Sequence, residues 1–97
     1  MPGWILESHD PDLTLRLPPG ANKTLGRAVP ADFIVDATLV SRVHCRLRAG
    51  DDHDELRVED LGSTNGTLVN GNRVDRAVLR TGDVLTIGRV AFTVLPA

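Results

Sequence analysis

Two Asn-Gly dipeptides stand close together in one polar stretch of this chain, which reads Asp60-Leu61-Gly62-Ser63-Thr64-Asn65-Gly66-Thr67-Leu68-Val69-Asn70-Gly71. Asn-Gly is the strongest short-range signal for a tight hairpin turn, because both residues tolerate the positive φ of a type I′ turn. Apolar residues flank the stretch, at Leu56 and Val58 before it and at Val74 after it. We therefore predict that strand ends converge on a loop that exposes hydroxyls and amides, those of Ser63, Thr64, Thr67, Asn65 and Asn70. Such a loop is either a recognition site or simply a well-made turn.

The size and composition of the chain limit the classes of protein it can be. It has 97 residues, which is enough for one domain, and an aromatic content of 3%, so Val, Leu and Ile must build the core. The formal net charge of −2 argues against general nucleic-acid binding, although one or two arginines can still make a local anion site. Cys45 is the single cysteine, which excludes an intramolecular disulfide and fits a reducing compartment. No apolar run is as long as a membrane span, and no signal peptide opens the chain.

Short segments of alternating apolar and polar residues recur along the chain and predict β-strands. In residues 13–17, for example, three leucines alternate with Thr14 and Arg16. Gly, Pro, Asn and Asp separate the segments, and residues 50–54 are typical of an acidic hairpin loop. No segment has a sustained helical period, so we expect no substantial helix. The pattern predicts an all-β sandwich or barrel of ten or eleven short strands. The strand segments include 3–7, 13–17, 23–27, 32–36, 44–48, 55–60, 74–80, 84–88 and 90–95.

Four separated blocks, in order and correctly spaced, give the chain a family resemblance. They are Leu25-Gly26-Arg27, then Ser41-Arg42-Val43-His44, then the stretch 60–71, then Leu79-x-x-Gly82-Asp83-x-Leu85-x-Ile87-Gly88. With these blocks the chain resembles a forkhead-associated (FHA) domain, the phosphothreonine-binding β-sandwich. The resemblance runs from about Trp4 to Leu95. It implies a two-sheet antiparallel β-sandwich of about 11 short strands (FHA/SMAD-like), forming a single domain over residues 1–97 with its core at about 4–95.

The resemblance also implies a binding site in the loops at one end of the sandwich. The positions that match the family's phosphopeptide-binding residues are Arg27, Ser41, Arg42, Thr64 and Asn65. The chemistry of these residue types agrees, because a phosphate carries about −1.5 to −2 charges and strong acceptor oxygens. An arginine offers a planar fork of donors to two such oxygens, hydroxyls donate short bonds, and an asparagine amide pairs with a peptide backbone.

Other residues are implied to support that site rather than to bind. The histidine of the family that matches His44 braces the loops by hydrogen bonds, and Gly26 and Gly66 are backbone positions that need unusual φ or close approach. We also expect Asp83 to tie a turn and Cys45 to be buried and inert. The preference for residues around the phosphothreonine stays open, with loops 28–31, 37–40 and 88–91 as candidates and with Arg42 and Arg89 able to favour acidic neighbours.

Two other functions compete with phosphothreonine binding. The first is a phosphate-independent protein–protein scaffold of the same fold, although such relatives commonly lose the arginine or the serine that this chain keeps. The second is an enzyme, because Ser41, His44 and Asp60 can be written as a triad; the serine, however, does not lie on a nucleophile elbow. His9, His44, His53 and Cys45 fit no metal-ligand spacing. We therefore expect no catalysis, no metal and no cofactor.

The expected partner is a phosphothreonine-containing protein or peptide, linked to a Ser/Thr protein kinase. We expect the chain to bind neither nucleic acid nor a membrane. Lys23 is the one lysine among 11 basic residues, a bias that is typical of high-GC bacterial genomes. We accordingly expect a cytoplasmic bacterial protein, with the nucleus left open for a eukaryotic source. The chain ends just after its last predicted strand, which favours one domain of a longer protein over a stand-alone adaptor.

Overall fold

The structure, a computed structural model, describes residues 3–51 and 55–97, and these form eleven β-strands and no helix. The strands are β1 (Trp4–His9), β2 (Asp12–Leu17), β3 (Asn22–Gly26), β4 (Phe33–Ile34), β5 (Cys45–Ala49), β6 (Leu56–Asp60), β7 (Thr67–Val69), β8 (Asn72–Val74), β9 (Arg76–Leu79), β10 (Val84–Ile87) and β11 (Val90–Pro96). The predicted acidic loop at 50–54 includes residues 52–54, which lie outside the described residues. Within the described ranges, no helix is long and apolar enough to cross a membrane.

The strands form two sheets, as the sequence predicts. The larger sheet has the order β2-β1-β11-β10-β7-β8, and the smaller sheet has the order β4-β3-β5-β6-β9. Neighbouring strands are antiparallel throughout, except that β4 pairs with β3 in parallel, with Leu25 opposite Phe33. The prediction of a two-sheet sandwich is therefore confirmed. Among the described strands, the parallel pair is the one departure from a purely antiparallel arrangement.

The alternation of residues along each strand places the core between the sheets. In β5, for example, Cys45, Leu47 and Ala49 are buried, whereas Arg48 is exposed. Apolar side chains from both sheets make one continuous core, in which Phe92 is the largest fully buried side chain. Burial, together with the nearby charge of Asp60, raises the pKa of the Cys45 thiol to about 12, so the thiol stays protonated at neutral pH. This agrees with the expectation of a buried, inert cysteine.

The two Asn-Gly dipeptides have different structures. Asn70 and Gly71 both have positive φ, of 51° and 85°, and they join β7 to β8 in the two-residue hairpin that a type I′ turn makes. At Asn65-Gly66 only Gly66 has positive φ, of 88°. The hairpin prediction is wrong for Asn65-Gly66, because β6 before it and β7 after it belong to different sheets.

Strand register decides which loops meet at each end of the sandwich. Leu25 pairs with Cys45 and Cys45 with Asp60, so the loops at 27–32, 35–44 and 61–66 share one end. The Asn70-Gly71 turn lies at the opposite end, where the Asn70 amide bonds to the Asp83 carboxylate and to the Val84 N–H, at 3.1 and 2.9 Å. Asp83 also accepts the Arg80 N–H at 2.8 Å, so it does tie a turn. Asn70 thus stabilises the turn structure at this end and lies far from the other amides and hydroxyls of the stretch 60–71.

Candidate functional site

Three loops at one end of the sandwich carry all five sequence-predicted phosphopeptide-binding residues. The β3–β4 loop holds Arg27, the β4–β5 loop holds Ser41 and Arg42, and the β6–β7 loop holds Thr64 and Asn65. Four of them are exposed and Ser41 is half-buried. The sequence blocks that lie far apart along the chain therefore converge on one solvent-facing region.

Ser41 joins these three loops directly. Its backbone carbonyl accepts the Arg27 N–H at 2.9 Å, and its side-chain Oγ accepts the Thr64 N–H at 3.0 Å. A hydroxyl can accept and donate at the same time. The bond from Thr64 therefore orients the Ser41 hydroxyl and still leaves its hydrogen available to an acceptor from solvent or from a ligand.

His44 is fully buried beneath Ser41 and bridges two of the loops. Its Nδ1 lies 3.0 Å from the Ser41 backbone nitrogen, and its Nε2 lies 2.8 Å from the Gly66 carbonyl oxygen. Because a backbone N–H can only donate, Nδ1 is the acceptor, and the hydrogen-bond pattern assigns the ring hydrogen to Nε2, which donates to Gly66. The imidazole thus fixes the β4–β5 loop against the β6–β7 loop.

The same bonds separate Ser41, His44 and Asp60 chemically. Both ring nitrogens of His44 are occupied by backbone groups, and the Ser41 Oγ is held by Thr64 rather than by the imidazole. The Asp60 carboxylate bonds to its own loop. The relay from carboxylate to imidazole to hydroxyl that a catalytic triad needs is therefore not formed by these residues.

Asp60 organises the β6–β7 loop from within. One of its carboxylate oxygens accepts the N–H groups of Gly62 and Ser63, at 3.0 and 3.1 Å, and the other accepts the hydroxyls of Ser63 and Thr67. The Ser63 Oγ in turn accepts the Gly66 N–H at 2.9 Å. Ser63 and Thr67 are buried, so the prediction that their hydroxyls are exposed is wrong: they turn inward to the carboxylate.

The charge state of Asp60 follows from these contacts. Burial by itself raises the pKa of the carboxyl group, but the hydrogen bonds from Ser63, Thr67 and Gly62 outweigh it and hold the pKa below its ordinary value of 3.8. Sequence reasoning did not assign Asp60 to the support of the site. The signal was an aspartate two residues before Gly62 and three before Ser63, a pattern typical of a side chain that bonds to the backbone two residues on.

Gly26 allows the end of β3 to contact the β4–β5 loop closely. A Cβ at this position would lie 2.0 Å from the Arg42 carbonyl oxygen and 2.8 Å from the Val43 Cα. Both are backbone atoms, so the clash could be relieved only by moving the loop. Gly26 is therefore required for close approach, one of the two reasons that the sequence offered for it.

The ends of the Arg27 loop are held by a pair of residues that sequence reasoning missed. The Asp32 carboxylate accepts the Thr24 N–H at 2.9 Å and the Thr24 hydroxyl at 3.2 Å, and the Thr24 Oγ1 accepts the Asp32 N–H at 3.0 Å. The bond from the Thr24 N–H, and to a smaller extent the bond from its hydroxyl, also lower the pKa of Asp32 below its ordinary value. No residue spacing marks this pair in the sequence, because the bonds join the middle of β3 to the residue before β4.

The exposed side chains differ in how much of their bonding capacity is already used. The Asn65 Nδ2 donates to the Leu39 carbonyl at 3.0 Å, which orients the amide and leaves its oxygen and one hydrogen for other partners. In the part of the chain that the structure describes, the guanidinium groups of Arg27 and Arg42 make no hydrogen bond or ion pair with protein. The described residues also hold no group of three or more His, Cys, Asp or Glu side chains placed to bind a metal ion.

Sequence comparison gives relatives that are longer than this chain. Over 78 residues the chain is 47% identical to the ABC transporter ATP-binding/permease protein Rv1747 of Mycobacterium tuberculosis, covering 80% of this chain and 9% of the transporter. Over 70 residues it is 41% identical to the glycogen accumulation regulator GarA of the same species, covering 72% of this chain and 42% of GarA. The chain thus matches less than half of the length of each of these relatives.

Structural comparison gives close matches over nearly the whole chain. The FHA domain of the CT664 protein from Chlamydia trachomatis superimposes with a TM-score of 0.89 at 25% identity, covering 96% of both chains. A structure from an analysis of phosphothreonine-dependent FHA domain interactions superimposes with a TM-score of 0.85 at 34% identity, covering 96% of this chain and 95% of that one. Residues 23–88 match the family model of the FHA domain. This span contains the three loops joined at Ser41, and the chain belongs to the FHA domain family.

Proposed function

We propose that this chain is a non-catalytic module that binds phosphothreonine-containing peptides in Ser/Thr kinase signalling. The observation that carries the proposal is the position of Ser41, which holds the backbone of Arg27 through its carbonyl and the backbone of Thr64 through its hydroxyl. The proposal is supported by the similar structure from work on phosphothreonine-dependent FHA interactions. The proposed domain comprises residues 1–97 with its core at about 4–95, and its proposed location is the cytoplasm.

Each binding residue has a role that its contacts allow. The guanidinium of Arg27 pairs with two phosphate oxygens, and the Ser41 hydroxyl donates the hydrogen that its bond from Thr64 leaves available. Arg42 adds a second positive charge, while the remaining amide groups of Asn65 pair with the peptide backbone. Hydrogen bonds to charged groups contribute about 1.5–3 kcal/mol each, so a few of them suffice for specific recognition.

The bracing contacts fit binding better than catalysis. His44 has no ring nitrogen available to take a proton from Ser41, because both are bonded to backbone groups. Gly26, His44 and Gly66 are accordingly proposed as support for the loops, and the phosphate is proposed to leave the site unchanged. A phosphate ester incubated with the protein should therefore be recovered intact.

A titration with three matched peptides tests the proposal. The peptides contain threonine, phosphothreonine or phosphoserine at one position and are otherwise identical; calorimetry or fluorescence anisotropy gives the dissociation constants. We expect the phosphothreonine peptide to bind most tightly, the phosphoserine peptide more weakly, and the threonine peptide not measurably. Equal binding of all three would refute the proposal and would favour a phosphate-independent scaffold.

Arg27→Ala tests the binding site within the module. Loss of even one charge-assisted bond should weaken phosphopeptide binding at least about tenfold, since each tenfold step in affinity corresponds to about 1.4 kcal/mol. Arg80→Ala is the matched control, because Arg80 is an exposed arginine that follows β9 at the opposite end of the sandwich. An affinity unchanged by Arg27→Ala, or reduced equally by both substitutions, would contradict the proposed site.

A further inference from the structure

The outer face of the smaller sheet carries a cluster of arginines that the phosphopeptide site does not use. Arg46 and Arg48 in β5, Arg57 in β6 and Arg76 in β9 alternate with buried or half-buried residues and so lie on the side of the sheet away from the core. Together with Glu59 and Val78 they form a groove of about 450 Å³, which we call the arginine face. We infer that the arginine face binds an acidic segment of a partner protein, independently of phosphate.

Strand register brings these side chains next to one another. Arg48 lies directly opposite Arg57, which lies opposite Val78, and Glu59 lies between Arg46 and Arg76. Like charges directly opposite one another destabilise a sheet, so folding alone does not favour the Arg48–Arg57 pair. An external partner that brings further negative charge to this surface would relieve the repulsion between the two arginines.

The charges within the face do not cancel. Glu59 lies 3.9 Å from Arg46, and Glu55 pairs with Arg57 through bonds of 3.1 and 3.2 Å. Among the described residues that line the groove, Glu59 is the one acidic side chain, against four arginines. The chain as a whole has a net charge of −2, so this positive surface stands out from an acidic background and complements an acidic ligand.

The composition of the groove favours a carboxylate-bearing protein over a nucleic acid. The described residues that line the groove include no aromatic side chain on which a base could stack. Val78, which is 43% exposed, offers an apolar contact of the kind that an acidic peptide with an occasional aliphatic residue would use. Arginine pairs with carboxylates through two parallel bonds, which gives such a peptide a defined orientation.

The arginine face is separate from the phosphopeptide site but begins beside it. Arg46 follows Cys45, where the Ser41 loop enters β5, and Glu59 precedes Asp60, where the Thr64 loop leaves β6. From there the groove extends along the strands away from the loops. A single partner could therefore contact both surfaces, and the two contacts would then reinforce each other through a high effective concentration.

Nuclear magnetic resonance titration of the isotope-labelled 97-residue chain tests the inference. The probe is a blocked octapeptide of glutamates with one central leucine and no phosphate; the same peptide with glutamine in place of glutamate is the neutral comparison. We expect saturable amide shifts confined to β5, β6 and β9 with the acidic probe alone. Shifts that are unsaturable, scattered, or confined to the loops at 27–32 and 61–66 would overturn the inference.

Paired substitutions separate this surface from the rest of the molecule. Arg48→Gln combined with Arg57→Gln should weaken the acidic probe at least fivefold, whereas Arg16→Gln, an exposed arginine of the larger sheet, should leave it unchanged. Equal loss in both variants would refute the assignment to the arginine face, and so would tighter binding of a single-stranded DNA octamer than of the peptide. A phosphothreonine peptide without acidic residues should bind equally to wild type and the double variant. If that peptide fails to bind the wild type, the proposed function fails while this inference still stands on the acidic probe.

Discussion

Replacing His44 by alanine should destabilise the fold and the phosphopeptide site together. The imidazole is fully buried, accepts the Ser41 N–H at 3.0 Å and donates to the Gly66 carbonyl, 2.8 Å from Nε2. His44→Ala removes both bonds at once. It leaves one backbone donor and one backbone acceptor without partners and opens a cavity below the Ser41 loop.

The size of the effect follows from those two groups. A buried polar group left without a partner costs about 1–3 kcal/mol, so the pair should cost about 2–6 kcal/mol before any loss of packing. Domains of this size are stable by about 5–15 kcal/mol. For a domain of 60–100 residues, a loss of 1 kcal/mol lowers the melting temperature by about 4–8 °C. His44→Ala should therefore lower the melting temperature by about 8 °C or more.

Urea unfolding followed by circular dichroism measures the free energy of unfolding directly, with a thermal melt as an independent check. His9→Ala is the matched control, since His9 is exposed at the end of β1 and its loss should change the stability by no more than about 0.5 kcal/mol. The affinity of the folded variant for the phosphothreonine peptide should fall as well, because Ser41 is no longer held from below. A melting temperature within about 2 °C of wild type would refute the bracing role of the imidazole.

Two further substitutions test the other supports of the loops. Asp60→Asn should cost about 1–3 kcal/mol at pH 7, because an amide cannot accept all the bonds that the carboxylate accepts. The folded state holds the pKa of Asp60 below 3.8, so the carboxylate stabilises the fold fully above that pH and loses this effect as the pH falls through the folded pKa. The difference in free energy of unfolding between Asp60→Asn and wild type, measured with urea, should therefore become smaller in that acidic range. A difference that does not change with pH would contradict this. Gly26→Ala should cost about 3 kcal/mol through its clash with the Arg42 carbonyl. Gly62→Ala, at a φ of 75° with no atom within 4 Å, should cost only about 1–2 kcal/mol in the same unfolding experiment, and the reverse order would show that close approach is not the reason for Gly26.

Most of the strands could be predicted from the sequence because they bury one face. Leu47 in β5 and Val58 in β6 are buried and pair with each other, and charged residues on either side of them face outward, which is the alternation that the sequence displays. The parallel pairing of β3 with β4 could not be predicted. Only Phe33 and Ile34 take part as β4, and a pair this short is fixed by the surrounding loops rather than by any residue pattern.

The residue types of the candidate site could be predicted from the sequence, but the hydrogen bonds that support it could not. The four sequence blocks led to Arg27, Ser41 and Thr64, and the structure brings these together. Their supports Asp60 and Asp32 escaped prediction, because aspartates are frequent in turns and the sequence does not show which donors a carboxylate will meet. The inward-facing hydroxyl of Thr67 was misplaced for the same reason: a polar side chain near a turn is normally exposed unless a buried acceptor is present.

The division between buried supports and exposed binding groups has a physical reason. His44 and Gly26 are buried and hold one loop against another, whereas Asp60 is half-buried and bonds within its own loop. Together they fix the loop backbones before any ligand arrives. Arg27 and Arg42 are exposed, which suits their proposed role of pairing with a ligand. A site whose backbone is already ordered loses less entropy when it binds, and more of the interaction energy with phosphate then appears as affinity. For this reason substitution of a support should lower stability and affinity together, whereas substitution of an exposed arginine should lower affinity alone.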